Sequence, residues 1–119
     1  FSKTDDSDTY KWIREFACWS PILHLQQTDG TVSAHKCFTK KLNEWGKIRA
    51  EDVLKAIRDN AEQDIPDGFP PKAEKIYLTL EPFLPTASHP RVMLDEIRES
   101  VEYWRKYVPE DGICIDSLC

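Results

Sequence analysis

Four cysteines constrain the fold of this chain more than any other feature: Cys18, Cys37, Cys114 and Cys119, the last of them its final residue. A thiol at a chain end is an oxidisable liability in a reducing compartment and a natural anchor for a tail in an oxidising one. Two disulfides are therefore expected, and with them a secreted, extracellular setting. Four cysteines allow three pairings. Cys18 with Cys37 and Cys114 with Cys119 would close two short loops. The long-range pairings tie the tail to the N-terminal third, constrain the unfolded chain more, and are preferred for that reason. Each crosslink would contribute about 2–4 kcal/mol, a large share of the stability of a domain this small.

A chain of 119 residues fits one domain, and 40% hydrophobic residues with 11% aromatics supply a core of ordinary size. Sixteen Lys and Arg against 21 Asp and Glu leave a net charge of -5, which opposes binding to a nucleic-acid backbone or an anionic membrane. The charge is segregated. Lys36, Lys40, Lys41, Lys47 and Arg49 are interrupted only by Glu44, and Glu51, Asp52, Asp59, Glu62, Asp64 and Asp67 follow. Such blocks read first as two solvated faces and second as a basic surface for an acidic partner. No run of eighteen apolar residues is present, so no membrane partner is expected. The chain opens on Phe1 without an initiator Met, which reads as a mature product or a trimmed one. Neither Asn43 nor Asn60 is followed by the Ser or Thr of a glycosylation acceptor.

Hydrophobic spacing predicts mostly helix. After a flexible polar arm over residues 1–8, Asp8 or Thr9 caps a segment in which Trp12, Phe16 and Trp19 share a face beside Tyr10, Ile13 and Ala17, ended by Ser20-Pro21. A short extended segment is expected near residues 22–32, where Asp29-Gly30 carries a tight-turn signal. Ser33 then caps a helix from about residue 34, with Ala34, Phe38, Leu42 and Trp45 at helical spacing and Gly46 as its stop. A third helix follows through Val53, Leu54, Ile57 and Ala61, with Glu51 and Asp52 in its first turn. Residues 64–71, DIPDGFPP, form a loop. In KAEKIYLTLEPF two periods compete: Ala73, Ile76, Tyr77 and Leu80 step as a helix, Ile76, Leu78 and Leu80 alternate as a strand. Helix is preferred, because no partner strand is evident. The last helix places Leu94, Ile97, Val101, Trp104 and Val108 on one face, and residues 109–119 form a tail anchored by cysteine. The predicted architecture is a single, mostly α domain, 1–119, of four to five helices stapled by two disulfides.

Candidate chemistry is sparse. Cys18, His24, His35 and Cys37 are ligand types for zinc, but structural zinc sites bring ligands in pairs two to four residues apart, and these spacings do not. No metal and no cofactor is expected. No serine lies in a G-x-S-x-G setting, and His89, between Ser88 and Pro90, reads as a helix-start residue. No enzymatic activity is expected, a small hydrolase built on His24 or His35 being the weakest of the readings weighed. The preferred function is a secreted, disulfide-stabilised protein of the effector, toxin or signalling-ligand kind that binds a protein partner. Trp19 and the basic residues Lys36, Lys40, Lys41, Lys47 and Arg49 are its candidate contacts. The alternative is an intracellular helical adaptor with reduced or zinc-bound cysteines that touches nucleic acid through the basic face, where Phe38 and Trp45 supply stacking groups. Acidity elsewhere in the chain and the core's need for those aromatics disfavour it.

Overall fold

The computed structural model describes residues 8–31, 34–82 and 89–117. The polar arm up to residue 7, the Ser33 cap and Cys119 lie outside them.

Asp8 caps the first helix, α1 (Thr9–Phe16): its carboxylate accepts the backbone N–H groups of Tyr10 and Lys11 at 3.0 and 3.3 Å. Those donors have no partner within the first turn of a helix, which is why a carboxylate there is stabilising. A 3-10 turn (Ala17–Trp19) leads through Ser20-Pro21 into strand β1 (Ile22–Leu25). Two helices follow, α2 (Lys40–Trp45), capped by the Thr39 hydroxyl on Leu42 N–H, and α3 (Ala50–Glu62). Strand β2 (Tyr77–Leu80) comes next, then α4 (Pro90–Arg105), whose first turn is closed by His89 Nδ1 accepting Arg91 N–H.

The two strands pair in parallel, with Ile22 opposite Tyr77 and Leu25 opposite Leu80. Parallel strands cannot be joined by a tight turn, so α2 and α3 form the crossover between them. This corrects the mostly helical class: the described residues hold four α-helices together with a two-stranded parallel sheet. Within the segment 72–83, where a helix is expected, residues Tyr77–Leu80 form β2 instead. Its alternating Leu78 and Leu80 face the core, and its partner lies more than fifty residues earlier, where periodicity cannot reveal it.

The second correction concerns the cysteines. Cys18, Cys37 and Cys114 are free thiols, so no disulfide joins any two of them. Cys18 and Cys37 are buried in different surroundings. The Cys18 N–H donates to Asn60 Oδ1 on α3 at 2.8 Å, whereas the Cys37 thiol meets Ser100 and Glu96 on α4. Burial raises the pKa of both, keeping them protonated, and they pack as small apolar side chains.

The second helix starts at Lys40, later than Ser33 implies. Residues 34–39 are not helical: Lys36 exchanges two backbone hydrogen bonds with Gln27, at 2.9 and 3.1 Å, across the Asp29-Gly30 turn. Around Phe38, the core collects Leu25, Ile48, Ala50, Val53, Ile57 and Trp104. The Phe38 ring lies 5.3 Å from Trp104, edge to face, and 5.9 Å from Tyr103, stacked. Tyr103 and Tyr10 are also structural pins: Tyr103 Oη accepts Ala50 N–H, and Tyr10 Oη donates to Lys47 O and accepts Arg49 N–H. Burial raises the pKa of both phenols, which keeps both hydroxyls protonated.

On α4 only the Trp104 end of the predicted apolar stripe becomes core. Only Ser100 and Trp104 are buried, while Leu94, Ile97 and Val101 stay exposed.

Candidate proton-transfer site at the strand ends

In a parallel pair all strands end on the same side, and in α/β sheets that carboxyl end is where binding and catalytic groups gather. Here it carries a charged pair. His24 is the third residue of β1, and Glu81 follows the last residue of β2. Glu81 N–H donates to Leu25 O at 2.8 Å, which continues the ladder one step and fixes the carboxylate beside the end of β1. The Glu81 side chain then meets His24 Nδ1. The pair lies on the open face of the sheet with Ile22 and Tyr77, because Leu23, Leu25, Leu78 and Leu80 turn the other way, toward the helices.

A carboxylate on Nδ1 decides the tautomer. With Nδ1–H donated to Glu81, the neutral ring presents an unprotonated Nε2 that can accept a proton. Both side chains are partly open to solvent, at 60% for His24 and 39% for Glu81. As a pair they contribute little to stability. Their chemistry is the more notable property.

The segment after β1 is held by a buried amide. Gln27 is fully enclosed and fully bonded: Nε2 donates to Asn43 Oδ1 and Ile48 O, and Oε1 accepts from Thr28 and Ile48 N–H. Its side chain fills the space where Gly46 has none, since a Cβ there would fall 2.2 Å from the Gln27 amide. Beyond it, Asp29 accepts both N–H and hydroxyl of Thr31, which lowers the Asp29 pKa, with Lys47 adding a smaller share. Gly30 takes a φ of 88°, and His35, at 48°, is the non-glycine residue in the left-handed region among those described.

The sequence-derived candidates fall in several places. Cys18, His24, His35 and Cys37 do not converge, and among the described residues no three His, Cys, Asp or Glu gather as a metal would require. Trp19 is half-buried: its Nε1 donates to Pro70 O, its ring meets Phe69 edge-on, and Lys72 Nζ lies 5.8 Å from the ring centroid. Lys36, Lys40, Lys41, Lys47 and Arg49 are all exposed. Lys36 and Lys47 flank the loop after β1, where Lys47 N–H donates to Thr28 O at 2.7 Å. A shallow cleft of about 260 Å³ lies elsewhere, between α1 and α3, and its lining from Asp8, Tyr10, Arg14, Asp52, Lys55 and Asp59 mixes both charges. Glu81 was not singled out in the sequence. The signal that marks it is an acidic residue directly after an alternating apolar run, which is informative only once that run is known to be a strand.

No family model matches the chain. Over 104 residues, 87% of its length, it is 31% identical to a protein of Brucella abortus (strain 2308) named D-erythrulose 1-phosphate 3-epimerase. The aligned part is 30% of that protein, so the chain spans under a third of the relative's length. These findings overturn the functional expectations. A secreted, disulfide-stabilised binder has no support once Cys18, Cys37 and Cys114 are free thiols, and the likeness is to a protein named as an enzyme, contrary to the expectation of no activity. The alternative, an intracellular adaptor with reduced or zinc-bound cysteines, is compatible with the free thiols, but the likeness to a protein named as an enzyme lends it no support.

Proposed function

We propose that this chain carries part of the proton-transfer site of an epimerase acting on a small phosphorylated ketose. The observation that carries the reading is the His24–Glu81 pair at the carboxyl end of a parallel sheet, and the named activity of the Brucella relative supports it.

Carbon 3 of an erythrulose phosphate adjoins the C2 ketone, so its hydrogen is acidified. Inverting that centre means breaking the C3–H bond, moving the electron pair into the carbonyl to give an enediolate, and returning a proton to the opposite face. His24 Nε2 is the acceptor in this reading. Glu81 orients the ring through Nδ1. A positioned base of this kind contributes roughly 10²–10⁴-fold. Lys36 and Lys47, beside the loop after β1, are the cations that would meet the phosphoryl group.

The test is solvent deuterium entry at C3 of D-erythrulose 1-phosphate, followed by proton NMR. The chain is assayed alone and mixed with the Brucella epimerase lacking its aligned segment. His24→Asn is expected to lower the exchange rate by about 100-fold or more, and Glu81→Gln by a smaller factor. No exchange above buffer in either preparation, or an unchanged rate in His24→Asn, overturns the reading.

A further inference from the structure

Among the described residues, each strand of the sheet pairs only with the other. In a parallel pair, alternate residues direct both backbone groups to one side. Pro21 O and Leu25 O accept from Tyr77 and Glu81, so residues 21, 23 and 25 point inward from β1, and 77, 79 and 81 inward from β2. Ile22 and His24 on one edge, and Leu78 and Leu80 on the other, direct their N–H and C=O groups outward. Purely parallel sheets occur almost entirely with both faces covered and in more than two strands, because exposed parallel edges leave a row of unpaired groups.

Two further observations point the same way. The open sheet face exposes Ile22 at 54% and Tyr77 at 61%. On α4, Leu94, Ile97 and Val101, at i, i+3 and i+7, form an exposed apolar stripe.

We infer that β1 and β2 are interior strands of a larger parallel sheet. Further parallel strands occupy both outer edges, and they come from polypeptide equivalent to the 70% of the Brucella epimerase that this chain does not match. A second copy of this chain fits less well. A two-fold axis pairs identical edges, and identical edges related in that way run antiparallel, which would leave the other edge of each copy open. An α/β segment that brings parallel strands satisfies both edges, and its helices cover the α4 stripe. The inference does not depend on His24 acting as a base.

The experiment is amide hydrogen exchange by NMR, together with sedimentation, on the chain alone and mixed with the Brucella epimerase lacking its aligned segment. In the chain alone, the outward amides of Ile22, His24, Leu78 and Leu80 are expected to exchange far faster than the inward amides of Leu23, Leu25, Tyr77 and Thr79. On mixing, a one-to-one complex is expected, with the outward amides slowed roughly 100-fold or more. Leu94→Glu and Tyr77→Lys alter side chains already in solvent, so each should leave the free chain folded and weaken the complex at least tenfold. Outward amides already protected in a monomeric chain, self-association that protects one edge only, or no complex on mixing each overturn the inference. A complex with protected edges but no exchange at C3 upholds the sheet and sinks the proposed function, so the two failures are separable.

Discussion

The ring around Phe38 and the sheet face that carries His24 are built from similar residues, and they end in opposite states. Around Phe38 the neighbours are buried or half-buried: Leu25 and Val53 are buried, Trp104 meets the ring edge-on, and the Phe38 N–H is satisfied by Ser100 Oγ at 2.8 Å. Gln27, equally buried, has all its polar atoms bonded. On the sheet face, Ile22 and Tyr77 stand in solvent beside a charged pair. The difference teaches that closure depends on what lies opposite a residue and not on its hydrophobicity. The helices close one side of the sheet, and among the described residues nothing closes the other.

Three measurements would break or sharpen that comparison. The largest expected effect is on the thiols. Alkylation at pH 8 should modify the exposed Cys114 at the rate of a free thiol, while Cys18 and Cys37 react at least about 1,000-fold more slowly, through unfolding alone. Their raised pKa, due first to burial, lowers the thiolate fraction in the same direction. Equal labelling of all three thiols would mean that the closed side is not closed.

Next in size is a pair of truncations. Phe38→Ala should cost about 3–5 kcal/mol in urea denaturation, because it removes the ring at the centre of the core. Tyr77→Ala, on the open face, should change stability by less than about 0.5 kcal/mol. A large loss at Tyr77 would show that its face is covered in solution.

The smallest effect comes from Gln27 and Gly46. Gln27→Ala leaves the Ile48 and Thr28 N–H groups without their acceptor, at a cost of about 1–3 kcal/mol. Gly46→Ala costs about 1–3 kcal/mol by overpacking against the Gln27 amide. Because the clash vanishes when the amide is gone, the double variant should be more stable than the sum of the two predicts, by about 1 kcal/mol. Strict additivity would place Gln27 elsewhere.

Some elements are legible in the chain itself. Helix α3 is marked by Val53, Leu54 and Ile57 on one face and by Glu51 and Asp52 in its first turn, signals that neighbouring residues carry together. Asp8 announces α1 in the same local way. The segment Tyr77–Leu80 is not legible, since its choice between helix and strand rests on Ile22–Leu25, far away along the chain. Ser33 and Gly46 suggest a helix from residue 34, yet Lys36 is bridged to Gln27 and the helix starts only after Thr39. The candidate site shares this difficulty. His24 drew notice as a histidine, but Glu81 becomes its partner only when two strands are aligned in parallel and end together.

What the sequence determined by itself is therefore local: the helix caps, the turn at Asp29-Gly30, the amphipathic run of α3 and the acidic balance, each set by interactions within a few residues. The tertiary structure decided the rest. Parallel pairing, the thiol state of Cys18 and Cys37, the exposure of Leu94 and Val101, and the meeting of His24 with Glu81 all depend on which distant segments lie opposite one another. Helical spacing reports what one face of an element offers. Only packing decides whether another element comes to cover it.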